Sequence, residues 1–227
     1  LIPFQAGGLG QQVPQGETVL TGILLLQQLR KRPQLPMQQQ MQLLQSRSNM
    51  TVFGLGNPGA KYKGTRHNAG FETIERIAAQ KGLKLRKRCF RCYKRAVLDD
   101  LSLVEPLTYM NNSGLAVPDN IPSDGCLIVI ADQMDLPPGK IRIKRGGSSA
   151  GHNGLKSMIS AYGPDFIRVY IGIGRPSDGM SVVDHVLTRY SAEDRAKVDA
   201  AEDKAAEAVL RIYGGERLES VMQWANS

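Results

Sequence analysis

Cysteine is scarce in this chain: Cys89, Cys92 and Cys126 are the only three in 227 residues. So few thiols, so unevenly spaced, do not make a disulfide framework, and a reducing compartment is the expected home. Cys89 and Cys92 have C-x-x-C spacing, but structural zinc takes four ligands and no second pair exists. A redox pair would open a helix, whereas this one lies in a basic, strand-like region, so both are read as incidental thiols. Long apolar runs are missing too. The run 19–26, VLTGILLL, is broken by Thr21 and Gly22 and falls well short of the ~20 residues of a membrane span. No G-x-S-x-G elbow, no H-E-x-x-H and no paired-carboxylate metal spacing occurs. A serine nucleophile and metal-assisted hydrolysis are therefore disfavoured, and neither metal nor cofactor is expected.

Acidic residues are nearly absent from 1–49, where Glu17 stands alone among twelve glutamines. This composition reads as a tail, either a non-native extension or a targeting segment, although it is poor in Arg and Ser for the latter. The folded domain is expected over 50–227. Cytoplasmic residence is expected, with an organelle as the alternative if 1–49 direct the chain there. The whole chain carries a formal +8, and the tail holds four basic residues and one acidic, so the body retains +5. That excess of Lys and Arg favours polyanionic partners, nucleic acid among them. The densest run is 84–95, with seven basic residues in twelve.

What the sequence does hold, from Met50 onward, is alternation. Strand-like runs fall at 51–55, 96–98, 101–104, 127–131, 141–144 and 168–173. TVFGL and LIVIA are apolar on both faces, as strands of a covered central sheet are. Helical periodicity falls at 69–81, 153–162 and 192–213; the last carries the stripe Val198, Ala201, Ala205, Val209 and Ile212, with Ser191 before it and Gly214 after it. The order predicts an α/β fold: a single three-layer α/β/α sandwich around a mixed, mostly parallel twisted sheet.

Gly54, Gly56 and Gly59 match the G-x-G-x-x-G spacing of a dinucleotide-binding turn. That motif requires a helix opening inside it and an acidic residue about 20 positions on at a second strand end. Here Pro58 and KYKGTRHN intervene, and Glu72 and Glu75 lie inside the next helix. A nicotinamide oxidoreductase is thereby disfavoured. The glycines are expected to turn the backbone off the strand and present Asn57 and His67 at the carboxyl edge of the sheet.

Of three histidines, His185 sits between apolar residues in VVDHVL and is read as structural or surface, while His67 and His152 each precede Asn where a loop opens a helix. A neutral His acting as base on water, oriented by a carboxylate, with amide side chains on the reacting carbonyl, is the chemistry left. Asp132 follows LIVIA at a strand end, with Asp135 nearby, and Asn111 lies in TYMNNSG. Taken singly, each of these Asp and Asn residues is better read as a cap or turn residue.

Four stretches in order, GLGNPGAKYKGTRHNAGF, EPLTYMNNSGLAV, IVIADQMDLPPGKIRIKRGGSSAGHNGLKSMI and IRVYIGIGRP, resemble the bacterial-type peptidyl-tRNA hydrolase family over about 50–227. The resemblance implies a monomer that hydrolyses the ester between peptide and tRNA without a metal. It implies His67 as catalytic base with Asp132 bonded to it, Asn57 and Asn111 on the ester and peptide backbone, and Asn153 with His152 beside the water or oxyanion. Tyr62 and Met110 would line the crevice, and Lys144, Arg145 and Arg175 would touch tRNA phosphates. The chain departs from the pattern in its compact 84–103 stretch and in Glu105, where the family commonly carries Lys. The alternative function is a non-catalytic RNA-binding splicing factor on the same fold.

Overall fold

The structure, a computed structural model, describes residues 49–116 and 125–227. The expected N-terminal extension lies outside the described residues except for Asn49. Seven strands form one sheet in the order β2-β3-β4-β1-β5-β7-β6: β1 (Met50–Gly54), β2 (Arg86–Lys87), β3 (Tyr93–Leu98), β4 (Leu101–Pro106), β5 (Cys126–Gln133), β6 (Ile141–Arg145) and β7 (Ile167–Gly172). The central four, β4-β1-β5-β7, run parallel, and the outer strands pair antiparallel, so the sheet is mixed. Among the described residues five α-helices accompany it: α1 (Ala69–Gln80), α2 (Asn153–Tyr162), α3 (Val182–Leu187), α4 (Ala192–Tyr213) and α5 (Leu218–Ala225).

Adjacent residues of β1 supply opposite cores, as a strand covered on both faces must. Val52 packs with α1, α4 and α5 through Ile74, Ile77, Val198 and Val221. Phe53 packs with α2 and the 3-10 turn Met110–Leu115 through Leu155, Met158 and Met110. This is the expected three-layer sandwich. β3 begins three residues before its predicted start because its charges find partners across the register: Lys94 meets Glu105 at 2.8 Å and Arg95 meets Ser102 Oγ at 2.7 Å. The departure at Glu105, a fully buried carboxylate, is thus answered by the lysine opposite it.

The glycines at the end of β1 and beyond it act differently from expectation. A Cβ on Gly54 would lie 2.2 Å from Gly70 O, and one on Gly56 would lie 2.6 Å from the Phe71 ring. Both glycines therefore let α1 close onto β1, and only Gly59, at φ +104°, adopts a turn conformation that favours glycine.

Charged residues fasten α1 to α4. Glu202, fully buried, accepts from Arg195 Nη2 at 2.6 Å and from Arg76 Nε at 3.1 Å, while Arg195 Nη1 reaches Glu72 at 2.7 Å. The Tyr190 ring is met by the guanidinium groups of both Arg195 and Arg66, 4.9 and 5.1 Å from its centroid, which ties the network to the turn holding His67. At the β6 edge, Asn226 accepts from Ile143 N at 2.7 Å and donates to Ile143 O at 3.0 Å. Among the described residues no helix is long and apolar enough to cross a membrane.

Candidate active site

The crevice of about 420 Å³ at the carboxyl edge of the parallel strands is lined by residues from six separate segments. Asn57 arrives from the loop after β1 and is held from two sides. Its backbone N–H donates to Asn68 Oδ1 at 2.9 Å, and Asn68 Nδ2 donates to its carbonyl at 3.0 Å. Its own Oδ1 accepts the Met110 N–H at 2.8 Å. With that oxygen committed, the Nδ2 group is the part of Asn57 left to serve the crevice. Asn68 itself was not singled out in the sequence, although it completes the same His-Asn pair as His67.

His67 sits in the 3-10 turn Arg66–Asn68 that leads into α1. Asp132, almost wholly buried, lies near the end of β5. His67 Nδ1 and Asp132 Oδ1 are 2.8 Å apart. The same oxygen is 3.0 Å from His152 Nε2. His152 caps α2, its Nδ1 accepting the Leu155 N–H at 3.2 Å. A ring nitrogen that accepts an N–H carries no proton, so the proton of neutral His152 resides on Nε2 and is donated to Asp132.

Burial opposes ionisation of Asp132, but the two imidazoles outweigh it and hold the carboxyl well below its usual range. An ionised Asp132 accepts a hydrogen bond from each ring, so His67 keeps its proton on Nδ1 and presents a bare Nε2. Burial disfavours charged His67, yet the charge and hydrogen bond of Asp132 prevail and its pKa is raised above 6.5. One ligand atom each from His67, Asp132 and His152 lie within 4.8 Å of one another. Ligation through His152 Nε2 would strip that ring of both protons or sacrifice the cap of α2, so this donor set suits proton handling better than a metal.

Asn111 and Asn153 are exposed on the crevice wall, and Met110 is buried beneath it. Gly154 makes room for Met110: a Cβ there would lie 2.4 Å from its Sδ. Tyr62 stands outside the lining, edge-on to the Tyr109 ring at 6.3 Å, and Tyr109 does line the crevice. The apolar side of the crevice comes from α3, whose Val182 and Val183 are exposed. That six-residue helix is too short for periodicity to reveal. Its His185 is buried and bonds Gly174 O at 2.9 Å, a structural role as its apolar flanks imply.

Of the three cations expected to meet tRNA, Lys144 and Arg145 lie on β6 apart from Asp132, whereas Arg175 follows β7 and pairs with a residue three positions past Asp132. β6 runs antiparallel to β7 with Arg145 opposite Ile167, whereas Asp132 is level with Ile171, a separation of about 13 Å along the strand. Arg145 makes a two-pronged pair with Asp165 at 2.8 and 2.9 Å, and Arg175 pairs with Asp135 at 2.5 Å. Lys144 Nζ lies 5.5 Å over the Tyr170 ring.

Comparison with known proteins gives this geometry a context. The sequence pattern of the family described as peptidyl-tRNA hydrolase matches residues 51–227. A protein of that name from Shouchella clausii is 47% identical over 167 residues, covering 70% of this chain and 90% of the relative. Another from Halorhodospira halophila is 44% identical over 176 residues, covering 73% and 90%. The crystal structure of peptidyl-tRNA hydrolase from Acinetobacter baumannii superposes with a TM-score of 0.72 at 34% identity, covering 79% of this chain and 96% of that one.

Proposed function

The chain belongs to the bacterial-type peptidyl-tRNA hydrolase family, and from that premise we propose that it hydrolyses the ester joining peptide to tRNA with His67 as general base. The observation carrying this reading is the His67 Nδ1 to Asp132 bond, which leaves Nε2 as a proton acceptor in a crevice also lined by Asn57, Asn111 and Asn153. Nε2 takes a proton from water as the water oxygen bonds to the ester carbonyl carbon. The imidazolium that forms is stabilised by Asp132. Amide N–H groups of Asn111 and Asn153 meet the charge developing on the carbonyl oxygen, and Asn57 Nδ2 holds the peptide backbone. Nε2 then returns the proton to the ribose oxygen as its bond to carbon breaks, freeing the peptide acid and a tRNA with an intact hydroxyl.

Binding strength would come from phosphate contacts without sequence readout. Lys144 is the best placed of the three proposed cations, since phosphate must displace Asp165 from Arg145 and Asp135 from Arg175. The reading carries with it a monomer working in the cytoplasm, where peptidyl-tRNA arises.

The test is a single-turnover assay of peptide release from peptidyl-tRNA. His67→Ala should lose ~10²–10⁴-fold in rate while binding deacylated tRNA as the parent does. Full activity in that variant refutes His67 as base. A parent chain that binds tRNA but releases no peptide is instead a non-catalytic RNA-binding protein.

A further inference from the structure

The hairpin joining β2 to β3 projects a phenyl ring into water. The strands pair through Arg86 with Arg95 and Lys87 with Lys94, leaving 88–92 as the connection. Phe90 at its tip is wholly exposed and holds a left-handed backbone conformation, φ +59°. Such a conformation is disfavoured for a residue with a Cβ, and a ring in water adds nothing to the core. Around it Lys84, Arg86, Lys87 and Arg88 are all exposed, and the segment 84–98 contains no carboxylate.

Topology puts this tip at the same edge of the sheet as the crevice. Tyr93 lies opposite Pro106, the end of β4 from which the chain enters the crevice-lining turn. Cys92 makes the junction: its carbonyl accepts Leu107 N–H at 2.6 Å, and its thiol donates to Leu115 O at 3.6 Å. Tyr109 and Leu115, 61% and 67% exposed, continue apolar surface on the turn that runs from the crevice wall to that junction. β2 and β6 form opposite ends of the sheet, about 29 Å apart at six strand spacings. The hairpin is therefore a different surface from the one bearing Lys144.

We propose that this hairpin is a second grip on the RNA: Phe90 stacks on an unpaired base while Arg88 and its neighbouring cations meet the phosphates of the same strand. Aromatic stacking beside a cationic track is how unpaired RNA is held without sequence readout, and a fully exposed ring needs an unstacked base. The proposal rests on the function proposed above, because that function supplies the RNA.

The experiment uses the full chain and deacylated tRNA as probe, alongside peptide release from peptidyl-tRNA. Phe90→Ala should weaken tRNA binding by about 5- to 100-fold and raise KM with kcat at saturation unchanged. Phe90→Tyr should bind as the parent. Arg88→Gln should reduce the slope of log K against log salt by about 0.7. In the F90W chain, tRNA should quench tryptophan emission beyond any change it causes in that of Trp224, the parent's single tryptophan, which a merely electrostatic role would not produce. Parent-like tRNA affinity in Phe90→Ala, or unquenched emission in F90W, overturns the proposal and leaves a solvated face or a protein-docking surface. If the parent cleaves peptidyl-tRNA and Phe90→Ala has the same KM, only the hairpin inference falls. If the parent binds tRNA without cleaving it, only the catalytic reading falls.

Discussion

His67 and His152 share a single oxygen: with ring centroids 5.0 Å apart, both hydrogen-bond to Oδ1 of Asp132. The consequence is a carboxylate that two rings stabilise but only one ring uses. His152 spends its other nitrogen on α2, whereas His67 keeps Nε2 bare.

Asp132→Asn should move the pH profile downward. Burial lowers the pKa of His67, and the charge and hydrogen bond of Asp132 raise it above 6.5. Removing the raising contributions leaves burial, so the pKa drops below 6.5. With the neutral ring as the proposed base, the acid limb of kcat/KM should lie above pH 6.5 in the parent and shift to lower pH in the variant. The plateau should fall ~10²–10⁴-fold as the ring loses its orientation. A parent limb at or below pH 6.5 would contradict the raised pKa. Stability follows the same linkage: the contribution of His67 is fully present below about pH 6.5 and is lost as pH rises through its folded pKa.

His152→Ala should move the limb the other way. Asp132 would lose one of its two donors, its charge would be less stabilised, and His67 would become more basic. Losing the cap of α2 should also cost about 1 kcal/mol of stability. Urea unfolding and kcat/KM profiles test the two effects separately. An unshifted limb with lowered stability would leave His152 a cap and nothing more.

Gly70→Ala should be far more damaging than Gly59→Ala. A Cβ on Gly70 would lie 2.4 Å from Leu55 N and 2.5 Å from the carbonyl oxygens of Ile130 and Leu55. All are backbone atoms that cannot yield, so α1 must lift from β1, at about 3 kcal/mol. Gly59 faces open space, and only its φ of +104° resists a side chain, at about 1–2 kcal/mol. Chemical denaturation ranks the pair, and the reverse order would refute close packing of α1. Because His67 lies just ahead of α1, Gly70→Ala should also lower kcat.

Arg195→Met should cost about 2–3 kcal/mol, below the ~3–5 kcal/mol for breaking a fully buried pair. The Arg195 side chain is a quarter exposed, and Arg76 remains on Glu202. Loss of less than about 0.5 kcal/mol, within the range of ordinary surface changes, would mean Arg76 alone satisfies that carboxylate.

Much of this was legible in the chain, for identifiable reasons. α4 was found residue for residue because its small apolar residues recur at helical spacing and Ser191 caps it, accepting the Asp194 N–H at 3.1 Å. β1 and β5 were found because both of their faces are apolar. β3 was under-read, since Lys94 and Arg95 look like a loop until the partners on β4 are known. The placement of His67 ahead of a helix could be seen, but its approach to Asp132 across 65 positions could not. Nor could the shared oxygen, which depends on α2 starting at the level where β5 ends. The glycines were misassigned in part because a turn and a close helix contact demand the same residue.

The amide of Asn226 has a bearing on the fate of the molecule in concentrated solution. An unpaired strand edge is a template on which another chain can add its own strand. Asn226 fills both hydrogen-bonding positions of Ile143 on the outermost strand, doing with one side chain what a neighbouring strand would do with its backbone. At the other extreme β2 offers only two residues, both cationic and exposed. Like charges there would face one another in any edge-to-edge stack. The two borders of the sheet thus resist aggregation by different means, one by occupancy and the other by repulsion.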